Sequence, residues 1–376
     1  LSVEEDSRDV HHSLSNFRFE KSYSAGDVYL SFVRKDSEKK DFDENIQGSG
    51  FYLSNTNFFK NWSITTAYRS MKMDINNPNI RHNQSDNFGN ALDIQRSPTG
   101  YYLHTFRLLS RTSQEVNLND EIGIELQISG PLNEYNIVAI NYLKSSSTKD
   151  WYQNWNGDWL SEKNSTFPSS KYSSYPFEET YLEFSGYSSS GDIYYKTGID
   201  FQNKVFNVLT NGPEFQSFEV SKSQTFPFLL SFKTNSQWSY DVQFEYQKLK
   251  TGFKRTTISD VDGIDNLYSF HSLLSKKEQI NRFISFSANY NQSWTFNFSF
   301  ETTNADESKL NDNTNDNFDS SNSWESIGFS YKFDSDDTLQ LFYGSVRGGL
   351  DCTNGVCRYV QAFEDGLRID YTSNLN

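Results

Sequence analysis

The sequence lacks the features that mark helical membrane proteins and nucleic-acid-binding proteins. Hydrophobic residues make up only 35% of its 376 residues, and no run of about 18 apolar residues occurs. A membrane-spanning helix is therefore excluded, although the short, alternating strands of a barrel would escape a hydropathy scan. The 34 basic residues are scattered and outnumbered by 49 acidic ones, and the net charge of −15 argues against nucleic acid as a partner.

Cysteine is scarce, with only Cys352 and Cys357 in the whole sequence. A structural zinc site would need two more ligands, and no histidine lies near them along the chain. We expect a small disulfide within one loop, which indicates an oxidising, extracytoplasmic setting. Two reduced thiols in the same loop are the alternative.

Catalytic motifs are also missing. The sequence has no G-x-S-x-G elbow, no phosphate-binding G-x-x-x-x-G-K-[ST] loop and no H-E-x-x-H. The five histidines show no ligand spacing beyond one doublet: His11, His12, His82, His104 and His271. We therefore predict no enzyme activity and no cofactor. A barrel hydrolase whose site is assembled from distant residues is an alternative.

Aromatic residues, in contrast, are abundant. They make up 16% of the chain, with 32 Phe and 23 Tyr. Soluble cores are dominated by Leu, Ile, Val and Ala, whereas membrane barrels alternate apolar and polar residues and carry aromatic girdles at both interfaces. The composition favours a barrel, and an aromatic-rich secreted β-sandwich is the alternative.

Alternation with a period of two residues is the main pattern along the chain. For example, Trp294, Phe296 and Phe298 alternate with Thr295 and Asn297, and segments 121–128, 238–246 and 367–375 repeat the pattern. We predict that the apolar faces look outward into lipid, because charged side chains at the bilayer midplane are costly. The charged residues predicted to face the interior are Glu121, Glu125, Asp241, Glu245 and Arg368.

The connections between these segments alternate in length. Short turns are predicted at residues 129–131, 188–191, 235–236, 291–292 and 334–337. Long polar stretches lie between the hairpins, at Met71–Gly89, Ser145–Glu178, Lys250–Asn281, Thr302–Asn322 and Val346–Asp365. This pattern predicts an all-β, antiparallel transmembrane β-barrel of about 14–18 strands, with short turns on one rim and long loops on the other.

A single barrel domain is predicted over residues 16–376, after a polar N-terminal segment over residues 1–15. The chain opens at Leu1 without a signal peptide. We therefore expect either a mature protein or the C-terminal portion of a longer one.

A loop near the C-terminus carries a signature, RGGLDCTNGVCR, over Arg347–Arg358. It resembles an uncharacterised family of bacterial outer-membrane barrel proteins that end in an R-G-G-L-x-C-x-x-G-x-C-R-x-x-P loop and a closing strand. Here Gln361 stands where that family usually has proline, and the chain ends in Leu375-Asn376 rather than in an aromatic residue. The resemblance implies an outer-membrane barrel and no particular chemistry.

The residues of this signature loop suggest two roles. Gly348, Gly349 and Gly355 permit turns with positive φ, and Arg347 and Arg358 could pair with carboxylates in the lumen or in loops. One role is a loop that folds into the pore as a constriction. The other is a rigid surface loop.

Two further segments are candidate binding sites. Three tryptophans lie within nine residues, and the aromatic residues proposed to bind glycans or a protein are Trp151, Tyr152, Trp155 and Trp159. Packing of these rings against the barrel rim is the alternative. Asp260, Asp262 and Asp265 are weak calcium candidates, because they lack the terminal glutamate of an EF-hand, and solvated loop acids are the alternative.

These observations predict a porin-like protein in the outer membrane of a Gram-negative bacterium, acting as a pore or in surface binding or structure. Expected partners are outer-membrane lipid, small polar or cationic solutes, glycans or an envelope protein. The alternatives are a secreted β-protein that binds glycans through its aromatic loop and an outer-membrane barrel hydrolase.

Overall fold

The structure is a computed structural model. It describes residues 2–5, 10–39, 44–72, 78, 104–112, 114, 117, 119–153, 158–163, 166–210, 215–257, 270–271, 278–291, 293–304, 323–333, 337–353 and 356–373. No helix within these ranges is long and apolar enough to cross a membrane.

Strands make up most of the described chain. In chain order they are β1 Ser2–Glu5, β2 Val10–Tyr23, β3 Gly26–Lys39, β4 Glu44–Phe59, β5 Trp62–Lys72, β6 Asp120–Pro131, β7 Asn136–Ser146, β8 Lys149–Gln153, β9 Trp159–Lys163, β10 Phe177–Tyr187, β11 Ile193–Thr210, β12 Phe215–Lys233, β13 Trp238–Thr257, β14 Phe270–His271, β15 Gln279–Tyr290, β16 Trp294–Thr303, β17 Ser323–Lys332, β18 Thr338–Val346, β19 Gly349–Thr353, β20 Val356–Val360 and β21 Phe363–Thr372. The short helix α1, Arg107–Thr112, lies between β5 and β6, and a 3₁₀ turn spans Tyr172–Ser174.

Antiparallel ladders join the long strands in chain order, from β2 to β7, through β10 to β13, and through β15 to β18 and β21. Within the described ranges this meander has fifteen strands of nine residues or more, and β1 pairs with the start of β2. The antiparallel transmembrane β-barrel predicted from the sequence is therefore confirmed. β2 begins at Val10 and crosses the boundary placed between residues 15 and 16, while the division into domains stays a prediction.

Connection length differs between the two rims, as predicted. Short turns at residues 24–25, 60–61, 132–135, 188–192 and 234–237 lie on one rim, and long connections such as 73–119 and 147–176 lie on the other. One predicted turn is misplaced, because β6 continues through Pro131 and the turn occupies residues 132–135. Proline is tolerated there because it is the last residue of the ladder and need not donate a hydrogen bond. The long connections contain two small hairpins, β8–β9 and β19–β20.

The apolar rows face outward, and the polar rows face the interior. Phe244 pairs with Phe228 on one side and with Ile284 on the other, and all three side chains are exposed. The next residue in β13, Glu245, is completely buried. Trp294, Phe296 and Phe298 are likewise exposed, which contradicts a closed core between two sheets and excludes a β-sandwich for this region.

The predicted inward acids Glu121 and Glu125 are buried, and both pair with Arg69 on the neighbouring strand, at 3.4 and 3.8 Å. Arg368 lies opposite Phe342 on the inner face and stacks over its ring. Its side chain stays half exposed and pairs with Asp370. The interior near β21 is therefore accessible to water.

Ile122 departs from the predicted pattern, because it belongs to an outward row and yet is completely buried. The connection between β7 and β10 folds back over this part of the outer surface. The Tyr68 hydroxyl donates to the Thr166 carbonyl at 2.8 Å, and the Ser169 amide donates to the Ser146 hydroxyl at 2.9 Å. Ser146 pairs directly with Ile122 in the ladder, so this end of β6 is covered by protein.

Outward-facing aromatic rings gather beside the short turns. Trp294 lies 4.2 Å from Tyr331 and Trp238 lies 4.8 Å from Tyr290, measured between ring centroids. Further rings of the same belt are Phe232, Tyr240 and Tyr371. Rings of this kind suit the boundary between hydrocarbon and headgroups, so this rim has the aromatic girdle typical of a membrane barrel.

Candidate functional site inside the barrel

A helical segment of the chain lies inside the barrel. Residues 104–112, which include α1, belong to the long connection between β5 and β6. α1 contacts β12, β13 and β15 on the inner wall, and it also contacts β19. The segment therefore occupies the lumen beside β12, β13 and β15. No structure was predicted for it from the sequence.

A buried glutamate on the wall caps the start of α1. Both carboxylate oxygens of Glu245 accept hydrogen bonds from helix amides, from Arg107 at 2.8 Å and from Leu108 at 2.7 Å. The Gln243 side chain donates to the same carboxylate at 2.7 Å, and the Gln247 side chain donates to the Leu108 carbonyl at 3.1 Å. The first amides of a helix have no partner within it, so a carboxylate at this position stabilises the helix and fixes its place.

A second buried glutamate, Glu301 on β16, holds three arginines. Arg111 forms a close ion pair with it, Arg107 lies 3.6 Å away, and Arg347 lies 3.2 Å away. Arg111 also donates to the Arg347 carbonyl at 3.2 Å. Two of these arginines come from α1 and the third begins the signature loop, so one carboxylate joins the wall, the helix and the last loop.

His104, Glu179 and Asp200 form a third buried cluster. The His104 Nε2 atom lies 2.6 Å from the Glu179 carboxylate, and the Gln202 side chain donates to the same oxygen at 2.9 Å. Neither carboxylate oxygen of Asp200 accepts a hydrogen bond of ordinary geometry from a described residue. The Tyr181 ring meets the imidazole edge-on at 4.8 Å. One nitrogen and two carboxylates thus converge at the point where the inserted segment meets the wall.

Apolar contacts fill the space between these polar groups. Phe106 and Leu109 of the inserted segment pack with Tyr181 in one buried cluster, and Leu229 packs against it. Lys196 lies over the Phe106 ring, and its ammonium pairs with Glu183 at 2.9 Å. The segment is therefore packed against the wall as a core would be, with its charges paired.

The aromatic loop forms the β8–β9 hairpin, and its first tryptophan is anchored. Trp151 is almost completely buried, and its indole N–H donates to Asp120 at 2.8 Å. Trp159 packs against it edge-on at 6.5 Å, whereas Tyr152 stays partly exposed and Trp155 lies outside the described residues. The cluster around Trp151 contains Tyr175, Val205, Phe218 and Val220. Trp151 thus packs the loop onto the rim, and binding of a glycan or an envelope protein by the other rings stays a prediction.

The same loop is held by polar contacts at its base. Asp120 also accepts hydrogen bonds from the Thr148 amide at 2.7 Å and the Thr148 hydroxyl at 2.6 Å. Asp150 accepts from the Ser174 hydroxyl and from Lys171, the latter at 3.0 Å. The hydrogen bond to Asp150 and the charge of its carboxylate raise the pKa of Lys171. The loop therefore has a defined position on the rim.

The signature loop reaches into the barrel with its first residue. Arg347 pairs with Glu301 and lies over the Trp324 ring at 5.1 Å. Gly348 does not adopt the positive φ predicted for it, and it serves a close approach instead, since a side chain there would meet the Ala362 backbone nitrogen at 2.8 Å. Arg347 is therefore joined to the inner wall and to α1, and the constriction of the pore by this loop stays a prediction. The side chain of Arg358 and residue Gly355 lie outside the described part.

The β19–β20 hairpin pairs Cys352 directly with Cys357 in its ladder. Their side chains lie outside the described residues, so the predicted disulfide stays a prediction. Gly349 is the first residue of β19, and its role as a turn glycine stays a prediction. The weak calcium candidates Asp260, Asp262 and Asp265 also fall outside the described residues.

Sequence reasoning missed most of this interior site. It found Glu245 as an inward acid and Arg347 as a partner for a carboxylate, but it joined neither to α1. The inward parity of Glu179 and Glu301 could have been read from the alternation of their strands. His104 had no such signal, because Glu179 lies 75 residues away along the chain.

The sequence model of a family described as a family of unknown function, DUF6029, matches residues 3–375. No curated protein matches the chain.

Among the solved structures similar to this chain are two forms of one receptor. They are the open and closed forms of the ferric-catecholate import receptor Fiu from E. coli K12. The open form has a TM-score of 0.46 at 8% identity, and the closed form 0.45 at 9%. The comparison covers 98% of this chain but 61% of the receptor in each case, so the chain spans less than two thirds of that receptor's length.

Proposed function

The chain belongs to the DUF6029 family of unknown function, and we propose that it is an outer-membrane pore narrowed by its own α1 segment. Small cations and neutral solutes pass through the space that this segment leaves, and the barrel carries out no enzyme reaction. The observation that carries the proposal is the capping of α1 by Glu245 from the inner wall. A segment that folds inward and is fixed to the inner wall narrows the passage through the barrel, while both ends of the barrel stay open.

The outer surface of the barrel supports a location in the outer membrane. Apolar side chains cover it along most strands, and an aromatic belt follows the turn rim. Among bacterial membrane proteins, this combination is that of outer-membrane barrels. Outer-membrane lipid is then the first partner of the chain.

Preference for cations follows from the charges of the inner wall. In the interior clusters of the described residues, carboxylates outnumber basic side chains. The seven carboxylates are Glu121, Glu125, Glu179, Glu183, Asp200, Glu245 and Glu301, and the basic side chains are Arg69, Arg107, Arg111, Lys196 and Arg347, with one histidine, His104. Carboxylates in a narrow passage attract cations and repel anions. The net charge of −15 has the same sign.

The disulfide between Cys352 and Cys357 belongs to the same proposal. Directly opposed residues in an antiparallel ladder have Cα atoms about 4.5–5.5 Å apart, within the range that a disulfide accepts. The pairing in the β19–β20 hairpin therefore supports the bond. An oxidising compartment outside the cytoplasm would form it.

Planar-bilayer recording tests this function with a matched pair of variants. Glu245→Ala removes the cap of α1, whereas Asp241→Ala removes another inward acid of the same strand that contacts Asn289 rather than α1. We expect small, cation-selective conductance from the native protein, clearly larger conductance from Glu245→Ala and native conductance from Asp241→Ala. Preference for anions, or equal conductance from all three proteins, contradicts the proposal.

A further inference from the structure

We propose that His104, Glu179 and Asp200 bind one divalent transition-metal ion inside the barrel. The ion would join the inserted segment, through His104, to two neighbouring strands of the wall. This site goes beyond the proposed pore function and does not depend on conduction.

The three side chains have the geometry of a ligand set. One ligand atom from each lies within 4.8 Å of the other two, and all three residues are buried. Two ligand atoms on the same ion are at most about 4.4 Å apart, because metal–nitrogen and metal–oxygen bonds are roughly 2.0–2.2 Å long. A small rotation of these side chains therefore brings all three into bonding range.

Asp200 provides a second and independent observation. Its side chain is completely buried beside Glu179 and Gln202, and neither of its oxygens accepts a hydrogen bond of ordinary geometry from a described residue. Lys196, on the same strand as Asp200, pairs with Glu183 instead. Two buried carboxylates beside each other, Glu179 and Asp200, repel unless a cation or a proton lies between them. A divalent ion would balance both charges.

The neighbouring residues hold Glu179 in place for this task. The Gln202 side chain donates to Glu179 at 2.9 Å, and the Ser223 hydroxyl donates to Gln202 at 3.4 Å. The Tyr181 ring packs edge-on against the imidazole of His104. Partners of this kind orient ligands and strengthen metal binding.

The donor set indicates the class of metal. An imidazole nitrogen suits zinc, iron, nickel and copper, while carboxylates suit manganese, magnesium and calcium. One nitrogen with two carboxylates fits Zn²⁺ and Mn²⁺ better than Ca²⁺, which takes six to eight oxygens in most sites.

Metal titration of the purified, detergent-solubilised full chain tests the site, with Zn²⁺ and Mn²⁺ alone as probes. The test variant is Asp200→Asn, which keeps the volume and removes the charge. The control is Asp241→Asn, an inward acid on β13 outside the cluster. Retention of the folded barrel is checked for each variant by its migration in unheated gels.

We expect the native protein and the control to bind one ion of one of these metals per chain. The dissociation constant should rise at least about 100-fold in Asp200→Asn. Loss of a residue that only hydrogen-bonds to a metal ligand already lowers metal affinity about 10–100-fold. If Asp200→Asn does not fold, Glu179→Gln gives the same comparison. No binding by the folded native protein, or equal binding by the folded variants, overturns the site.

Discussion

Glu245 and Glu301 show how single carboxylates fix a chain segment inside the barrel. Each is buried, and each lies on the inner wall with its partners on α1. Their energetics should differ, however. Glu245 accepts backbone amides, whereas Glu301 neutralises arginines.

Removal of the Glu245 carboxylate should destabilise the protein by leaving two helix amides without acceptors. We expect Glu245→Ala to lower the free energy of unfolding by about 1–3 kcal/mol, the usual cost of unsatisfied buried donors. Glu245→Gln keeps one acceptor oxygen and should cost less. Urea titration in detergent, followed by tryptophan fluorescence, measures both values; equal stability of Glu245→Ala and native protein would refute the capping role.

Glu301→Gln should be more damaging than Arg347→Ala. The glutamate is the shared partner of three arginines, so its neutralisation leaves like charges facing each other in a buried site. Breaking a buried pair in this way costs about 3–5 kcal/mol. Arg347→Ala leaves two arginines on the same carboxylate and should cost clearly less. The reverse order in urea titrations would show that Glu301 is not the centre of the cluster.

At the scale of elements, strands could be predicted from the sequence and α1 could not. A strand between lipid and lumen must alternate apolar and polar residues, as Trp294–Phe300 does. This pattern is visible within a short stretch of sequence. α1 has only six residues, and its partners Glu245 and Glu301 lie more than a hundred residues further along the chain. Contacts at that separation leave no periodic pattern in the sequence.

The two hairpins of the long loops illustrate the same limit. The sequence indicated the aromatic cluster of the β8–β9 hairpin, but it did not distinguish a binding surface from packing. The burial of Trp151 favours packing for that ring, because Asp120 holds its indole N–H.

The β19–β20 hairpin makes a prediction that requires only the native protein. Because Cys352 lies opposite Cys357, we expect alkylation without prior reduction to modify neither cysteine. Alkylation after reduction should modify both, and mass spectrometry of the intact protein counts the added groups. Modification of both thiols in the unreduced protein, purified without reductant, would contradict the disulfide.

Across the whole molecule, successive residues of a strand face the polar interior and the apolar outer surface in turn. In β16, Asn297 is exposed on the inner face, and the adjacent Phe298 is exposed on the outer face. Exposure in the structure is therefore similar for the two positions. Only a bilayer would make them differ, because lipid would cover one and water would reach the other.

Cysteine accessibility in lipid vesicles tests this arrangement most directly. Asn297→Cys and Phe298→Cys are each placed in a background with Cys352→Ser and Cys357→Ser, and both proteins are treated with a membrane-impermeant maleimide admitted to both faces of the vesicle. We expect labelling of Asn297→Cys in vesicles, and labelling of Phe298→Cys only after the protein is unfolded in detergent. Equal labelling of the two positions in vesicles would contradict a membrane-spanning barrel.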